Sequence, residues 1–80
     1  MISADELRGR VEKAIPGASA EVTTDGYAYH FRVVSELFDG KRAVTRQQLV
    51  YSGLNDLISD GSLHALTIET YTPGEAGETP

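Results

Sequence analysis

The spacing of apolar residues changes period three times along this chain, and that change limits its fold more than any single motif. Leu7, Val11, Ala14 and Ile15 fall at i, i+4, i+7 and i+8, which is one stripe of a helix. Ser3 and Glu6 have capping-box spacing, and Ile2 can staple onto Leu7, so the helix is expected near residues 4–15, ended by Pro16-Gly17. The period then drops to two. Ala20 to Thr24 reads as a short strand, Asp25-Gly26 as a turn, and Tyr27 to Ser35 as the returning strand. Tyr29, Phe31 and Val33 share one face of it; Ala28, His30, Arg32 and Val34 share the other. The Phe31 face reads as the core side. Leu37-Phe38-Asp39-Gly40 reads as a turn with an apolar anchor.

A helical stripe returns at Val50, Leu54, Leu57 and Ile58, with Thr45 and Gln48 as a second capping box. Gly53 interrupts it and predicts a kink or two short helices; Asp60-Gly61 stops it. The last strand is expected from Leu63 or His64 to about Tyr71, with His64, Leu66, Ile68 and Thr70 toward the helices. The domain is thus read as residues 1–72. Residues 73–80 have no large apolar side chain and are expected to form a disordered tail. The predicted class is α+β, in the order α-β-β-α-(α)-β. A hairpin and a right-handed helical crossover give a three-stranded mixed sheet with helices on one face.

Eighty residues allow one thin-cored domain. There is no cysteine, so no disulfide staples the chain and no thiolate can attack a substrate or hold a metal. No apolar run approaches membrane length, and Met-Ile-Ser-Ala-Asp-Glu lacks the pattern of a signal peptide. These features predict a cytoplasmic protein with no membrane partner, monomeric when alone. Nucleophile-elbow, triad and phosphate-loop patterns are missing, which argues against an enzyme.

Three places carry candidate chemistry. His64 stands alone near a strand end; on spacing alone it is most simply a half-buried residue bonded to backbone. His30 lies opposite the Phe31 face, beside Arg32, where a solvated strand residue is the plain reading. Lys41, Arg42 and Arg46 form a basic cluster, in a chain whose net charge of −5 repels nucleic acid on average.

Phe31 to Gly40, an apolar strand ending in Ser-x-x-Phe-x-Gly, resembles a segment of the BolA family. Arg46-Gln47-Gln48-Leu49-Val50-Tyr51-Ser52-Gly53-Leu54 resembles its Val-Tyr-x-x-Leu helix, in the Gln-Gln form of the IbaG-like branch. Leu63 to Pro73 resembles its closing His-Ala strand and Thr-Pro end. The resemblance implies a fold like the type II KH domain. It also implies a monothiol glutaredoxin partner and a bridging [2Fe–2S] cluster, held jointly with glutathione and a histidine that His64 matches. This chain alone is expected to hold no cofactor. The family's second ligand candidate is a Cys or His at the hairpin loop. Thr24 to Ala28 contains neither, and His30 is the replacement available. The usual C-terminal helix is expected to be missing, with Pro73-Gly74-Glu75-Ala76 in its place. The leading expectation is therefore an adaptor that shares or transfers a cluster. The competing one is a KH-like regulator that binds DNA weakly through Lys41, Arg42 and Arg46. Against it, Gly40-Lys41-Arg42-Ala43 lacks the second Gly of a Gly-x-x-Gly loop.

Overall fold

The computed structural model describes residues 2–78. Ser3 opens the first helix: its Oγ accepts the Glu6 N–H at 3.1 Å. This helix, α1, runs Ala4–Ala14, and it buries Leu7 and Val11. Asp5 and Glu6 in its first turn and Lys13 in its last complement the helix dipole. Strands β1 (Ser19–Thr24) and β2 (Tyr29–Val34) then pair antiparallel, with Val22 opposite Phe31. The expected strand start at Tyr27 is displaced to Tyr29. Asp25 Oδ1 accepts the N–H groups of Tyr27 and Ala28 at 2.9 and 2.8 Å, which withdraws both residues from the ladder.

After a 3-10 turn at Glu36–Phe38, α2 covers Ala43–Ser52 and α3 covers Asn55–Ser59. The break falls at Gly53 and Leu54, as the sequence predicts. A Cβ on Gly53 would lie 3.0 Å from both Ala14 Cβ and the Arg10 carbonyl, so this residue lets the break sit directly on α1. The expected Thr45–Gln48 capping box is not used. Helix α2 begins two residues before Thr45, with Arg42 at the cap position and no side-chain cap bond. The Arg46 N–H already donates to the Arg42 carbonyl at 3.0 Å, which places Thr45 inside the first turn.

Strand β3 (Leu66–Tyr71) lies parallel to β2, Ile68 beside Phe31, and the sheet order is β1-β2-β3. It starts later than expected, so His64 does not begin it. Leu63 turns inward instead, is buried, and donates its N–H to the Leu57 carbonyl at 3.0 Å. His64 is left exposed in the loop between.

One core joins Leu7, Val11 and Ile15 to Phe31, Val33, Val50, Leu54 and Leu57. Ile58, Leu66 and Ile68 pack at its edge. The Phe31 face is thus the buried one and the helices cover it. Alternation puts Glu21, His30, Arg32, Glu69 and Tyr71 on the uncovered face. Among the described residues no helix is long and apolar enough to cross a membrane.

The tail reading needs correction. Residues Pro73–Glu78 form a further helix, α4; residues 79 and 80 lie outside the described residues. Thr72 and Glu75 make a reciprocal capping box. The Glu75 N–H donates to Thr72 Oγ1 at 3.2 Å, and the Thr72 N–H donates to Glu75 Oε1 at 2.9 Å. Arg46 then grips the same carboxylate, Nη1 to Oε1 at 2.6 Å and Nη2 to Oε2 at 3.3 Å. The Arg46 guanidinium, followed by the Thr72 N–H, holds the Glu75 carboxyl below the usual carboxylate range. A depressed carboxylate contributes stability that is fully present above its unfolded value, about 4.3. That contribution is lost as pH falls through the lower folded value. Helix α4 should therefore stay docked at about pH 5 and fray only below about pH 4. Arg46→Ala should fray it at neutral pH while the sheet stays intact. The Ala76 amide, bonded to the Thr72 carbonyl at 2.9 Å, reports this in an NMR pH titration. An Ala76 signal unchanged by Arg46→Ala at neutral pH would contradict the latch.

Candidate functional site

The hairpin loop and the loop before β3 meet at one end of the sheet. Their backbones are tied together by the Tyr29 N–H, which donates to the Ala65 carbonyl at 2.8 Å. The hairpin loop is closed by its own side chains. Besides the two bonds to Asp25, Thr24 Oγ1 donates to the Ala28 carbonyl at 2.9 Å and accepts the Gly26 N–H at 3.0 Å. The two N–H bonds, Ala28 first, hold the Asp25 carboxyl below its ordinary value. Tyr27 stands out from this loop, 71% exposed, and its ring meets His64 edge-on at 5.9 Å between centroids. His64 Nδ1 faces the Gly61 carbonyl at 3.4 Å. The imidazole is thus an exposed ring with the Gly61 carbonyl and the Tyr27 ring beside it.

His30 has a different setting. It lies on the uncovered sheet face, where its Nε2 pairs with Glu69 Oε2. The Tyr71 hydroxyl donates to Glu69 Oε1 at 2.5 Å, and the Arg32 guanidinium lies 5.0 Å from the Tyr71 ring centroid. Arg32 also approaches Glu21 at 3.9 Å. The Tyr71 bond first, then His30, lowers the Glu69 carboxyl, while the same bond raises the Tyr71 phenol. His30 also borders a shallow hollow of about 330 Å³ with Thr23, Thr24, Asp25 and Thr67. Each histidine thus has its own partners. Among the described residues no three His, Asp or Glu side chains gather as a metal site.

The basic cluster is also divided. Arg46 is spent within the fold: besides Glu75, its Nε donates to the Lys41 carbonyl at 2.9 Å and its guanidinium lies 5.9 Å from the Phe38 ring centroid. Lys41 and Arg42 are exposed. Sequence reading missed Tyr27, because its contact with His64 joins two loops far apart in the chain. It also missed the Thr72–Glu75 latch on Arg46, although Thr-x-x-Glu spacing was present to signal it.

This architecture defines a class: a small α+β domain with one mixed sheet, helices on one face, and an exposed histidine where two loops meet. The BolA-like protein family model matches residues 11–75, and the chain belongs to that family. It is 37% identical over 71 residues to the acid stress protein IbaG of Escherichia coli K12, spanning 89% of this chain and 84% of that one. A BolA homologue from Coxiella burnetii superposes with a TM-score of 0.82 at 28% identity, over 96% of this chain and 99% of that one. The BolA domain of SufE1 from Arabidopsis thaliana gives 0.78 at 31% identity, over 94% and 99%. These relatives place the chain in the IbaG-like branch.

Proposed function

We propose that this chain is an adaptor, not a catalyst, which pairs with a monothiol glutaredoxin and shares or transfers a [2Fe–2S] cluster. The observation that carries this reading is His64: an exposed imidazole with the Gly61 carbonyl and the Tyr27 ring beside it. Imidazole is a suitable iron ligand and has precedent on [2Fe–2S] centres. The donor set fits a shared centre. The chain has no cysteine, and no ligand cluster gathers among the described residues, so the sulfur ligands must come from the partner and from glutathione. When bound, the cluster supplies electron-transfer or cluster-delivery chemistry. This chain supplies one neutral nitrogen and the surface around it. His30 is the less suited of the two histidines, because Glu69 already occupies its Nε2.

The nucleic-acid reading has less support. Arg46 is engaged by Glu75, and Glu36 and Asp39 lie close along the chain to Lys41 and Arg42.

The test is a titration of this chain into a monothiol glutaredoxin with glutathione, iron and sulfide, followed by visible circular dichroism. A spectrum distinct from that of the glutaredoxin's own cluster is expected, saturating at equal amounts of the two proteins. No change on adding this chain would sink the reading.

A further inference from the structure

We infer that Tyr27 is a positioning residue for His64 and that, together with the Gly61 carbonyl, it fixes Nε2 as the nitrogen offered to a metal centre. The inference rests on the ligand role proposed for His64, and it concerns how this chain prepares that ring before any partner arrives. His64 is not held by a strand, so its orientation needs another source. Its backbone is pinned on both sides. Leu63 is buried and bonded to Leu57, and the Ala65 carbonyl accepts the Tyr29 N–H. That leaves the ring's own torsions.

Two contacts act on them. A carbonyl oxygen can only accept, so a hydrogen bond across the 3.4 Å between Nδ1 and the Gly61 carbonyl requires the proton on Nδ1 and leaves Nε2 its lone pair. Gly61 has φ +82°, a conformation that L side chains rarely adopt, and this turn aims its carbonyl back at the ring. The second contact is Tyr27, whose ring meets the imidazole at an interplanar angle of 76°. An edge-to-face pair has a preferred geometry, so it limits rotation about the His64 side-chain bonds. Burial does not explain Tyr27, which is 71% exposed on a loop otherwise built of small and polar residues. Its backbone is nevertheless held by Asp25, so the ring works from a fixed base. A metal-ligating histidine is usually oriented in this way, with its second nitrogen bonded to a carbonyl or carboxylate.

The test uses Tyr27→Ala and Tyr27→Phe, both exposed changes that leave the core alone. Long-range proton–nitrogen spectra of the chain by itself, at about pH 8 where an ordinary imidazole is neutral, read the tautomer of His64. Wild type and Tyr27→Phe should carry the proton mainly on Nδ1, with His64 ring protons shifted by the neighbouring aromatic. Tyr27→Ala should lose that shift and move toward a mixture of tautomers. In the mixed cluster with a glutaredoxin, Tyr27→Ala should lose iron to a chelator about 10-fold faster, and Tyr27→Phe should match wild type. A Tyr27→Ala spectrum identical to wild type, or a wild-type proton mainly on Nε2, overturns the inference. The two claims fail separately. Were His64→Ala to leave the mixed cluster unchanged while Tyr27→Ala still loosened the ring of the chain alone, the ligand role would fall and the positioning role would stand.

Discussion

Phe31→Ala should cost about 3–5 kcal/mol of folding stability, the range for truncating a fully buried phenylalanine. Phe31 is completely buried in β2, the central strand, with Val22 opposite it on one side and Ile68 beside it on the other. Leu7, Val11 and Val50 lie in the same core. β2 cannot shift to fill a cavity there without breaking register with both neighbours. A domain of this length has roughly 4–12 kcal/mol in total at about 0.05–0.15 kcal/mol per residue. The variant should therefore lose from about a quarter of its stability to all of it, with a urea midpoint lower by roughly 1.5–5 M if the slope is about 1–2 kcal/mol/M. Leu54→Ala, at the break between α2 and α3, should cost about 2–5 kcal/mol for the same reason. A loss below about 1 kcal/mol at Phe31 would show that the ring is not a core residue.

The strand faces were legible because alternation is a local signal and one face is far more apolar. Tyr29, Phe31 and Val33 follow it and are buried. The parallel third strand followed from the helical crossover. What local reading lost were the places where side chains compete with the ladder or where distant segments meet. Asp25 withdraws Tyr27 and Ala28 from β2 through two side-chain bonds that no period reveals. Leu63 looks like the first residue of a strand, yet it plugs the core, and His64 is exposed beside it as a consequence. The six residues of α4 lack an apolar stripe and read as disordered on composition. Their stability comes from Thr72 capping and from Arg46 on another helix, and only the first of these has a sequence signature. As for the site, the resemblance singled out His64, but its ring contact with Tyr27 joins two loops far apart in the chain, which no local pattern shows. Nor does any show the pairing of His30 with Glu69, which separates the two candidate ligands.

His64→Ala carries the largest functional effect expected of any single change. The ring is exposed and its removal opens no cavity, so the folding stability should stay within about 0.5 kcal/mol of wild type. The shared cluster should not survive unchanged. Even residues that only orient a metal ligand change affinity about 10–100-fold, and loss of the ligand itself should do at least as much. His30→Ala should have a smaller effect, because its Nε2 is already paired with Glu69. The decisive measurement is the visible absorption and circular dichroism of the cluster assembled with a monothiol glutaredoxin and glutathione, comparing wild type with His64→Ala. The account predicts that the His64→Ala spectrum collapses to that of the glutaredoxin's own cluster, while the variant remains folded. A mixed-cluster spectrum and transfer rate identical to wild type would contradict it and return His64 to an ordinary surface histidine.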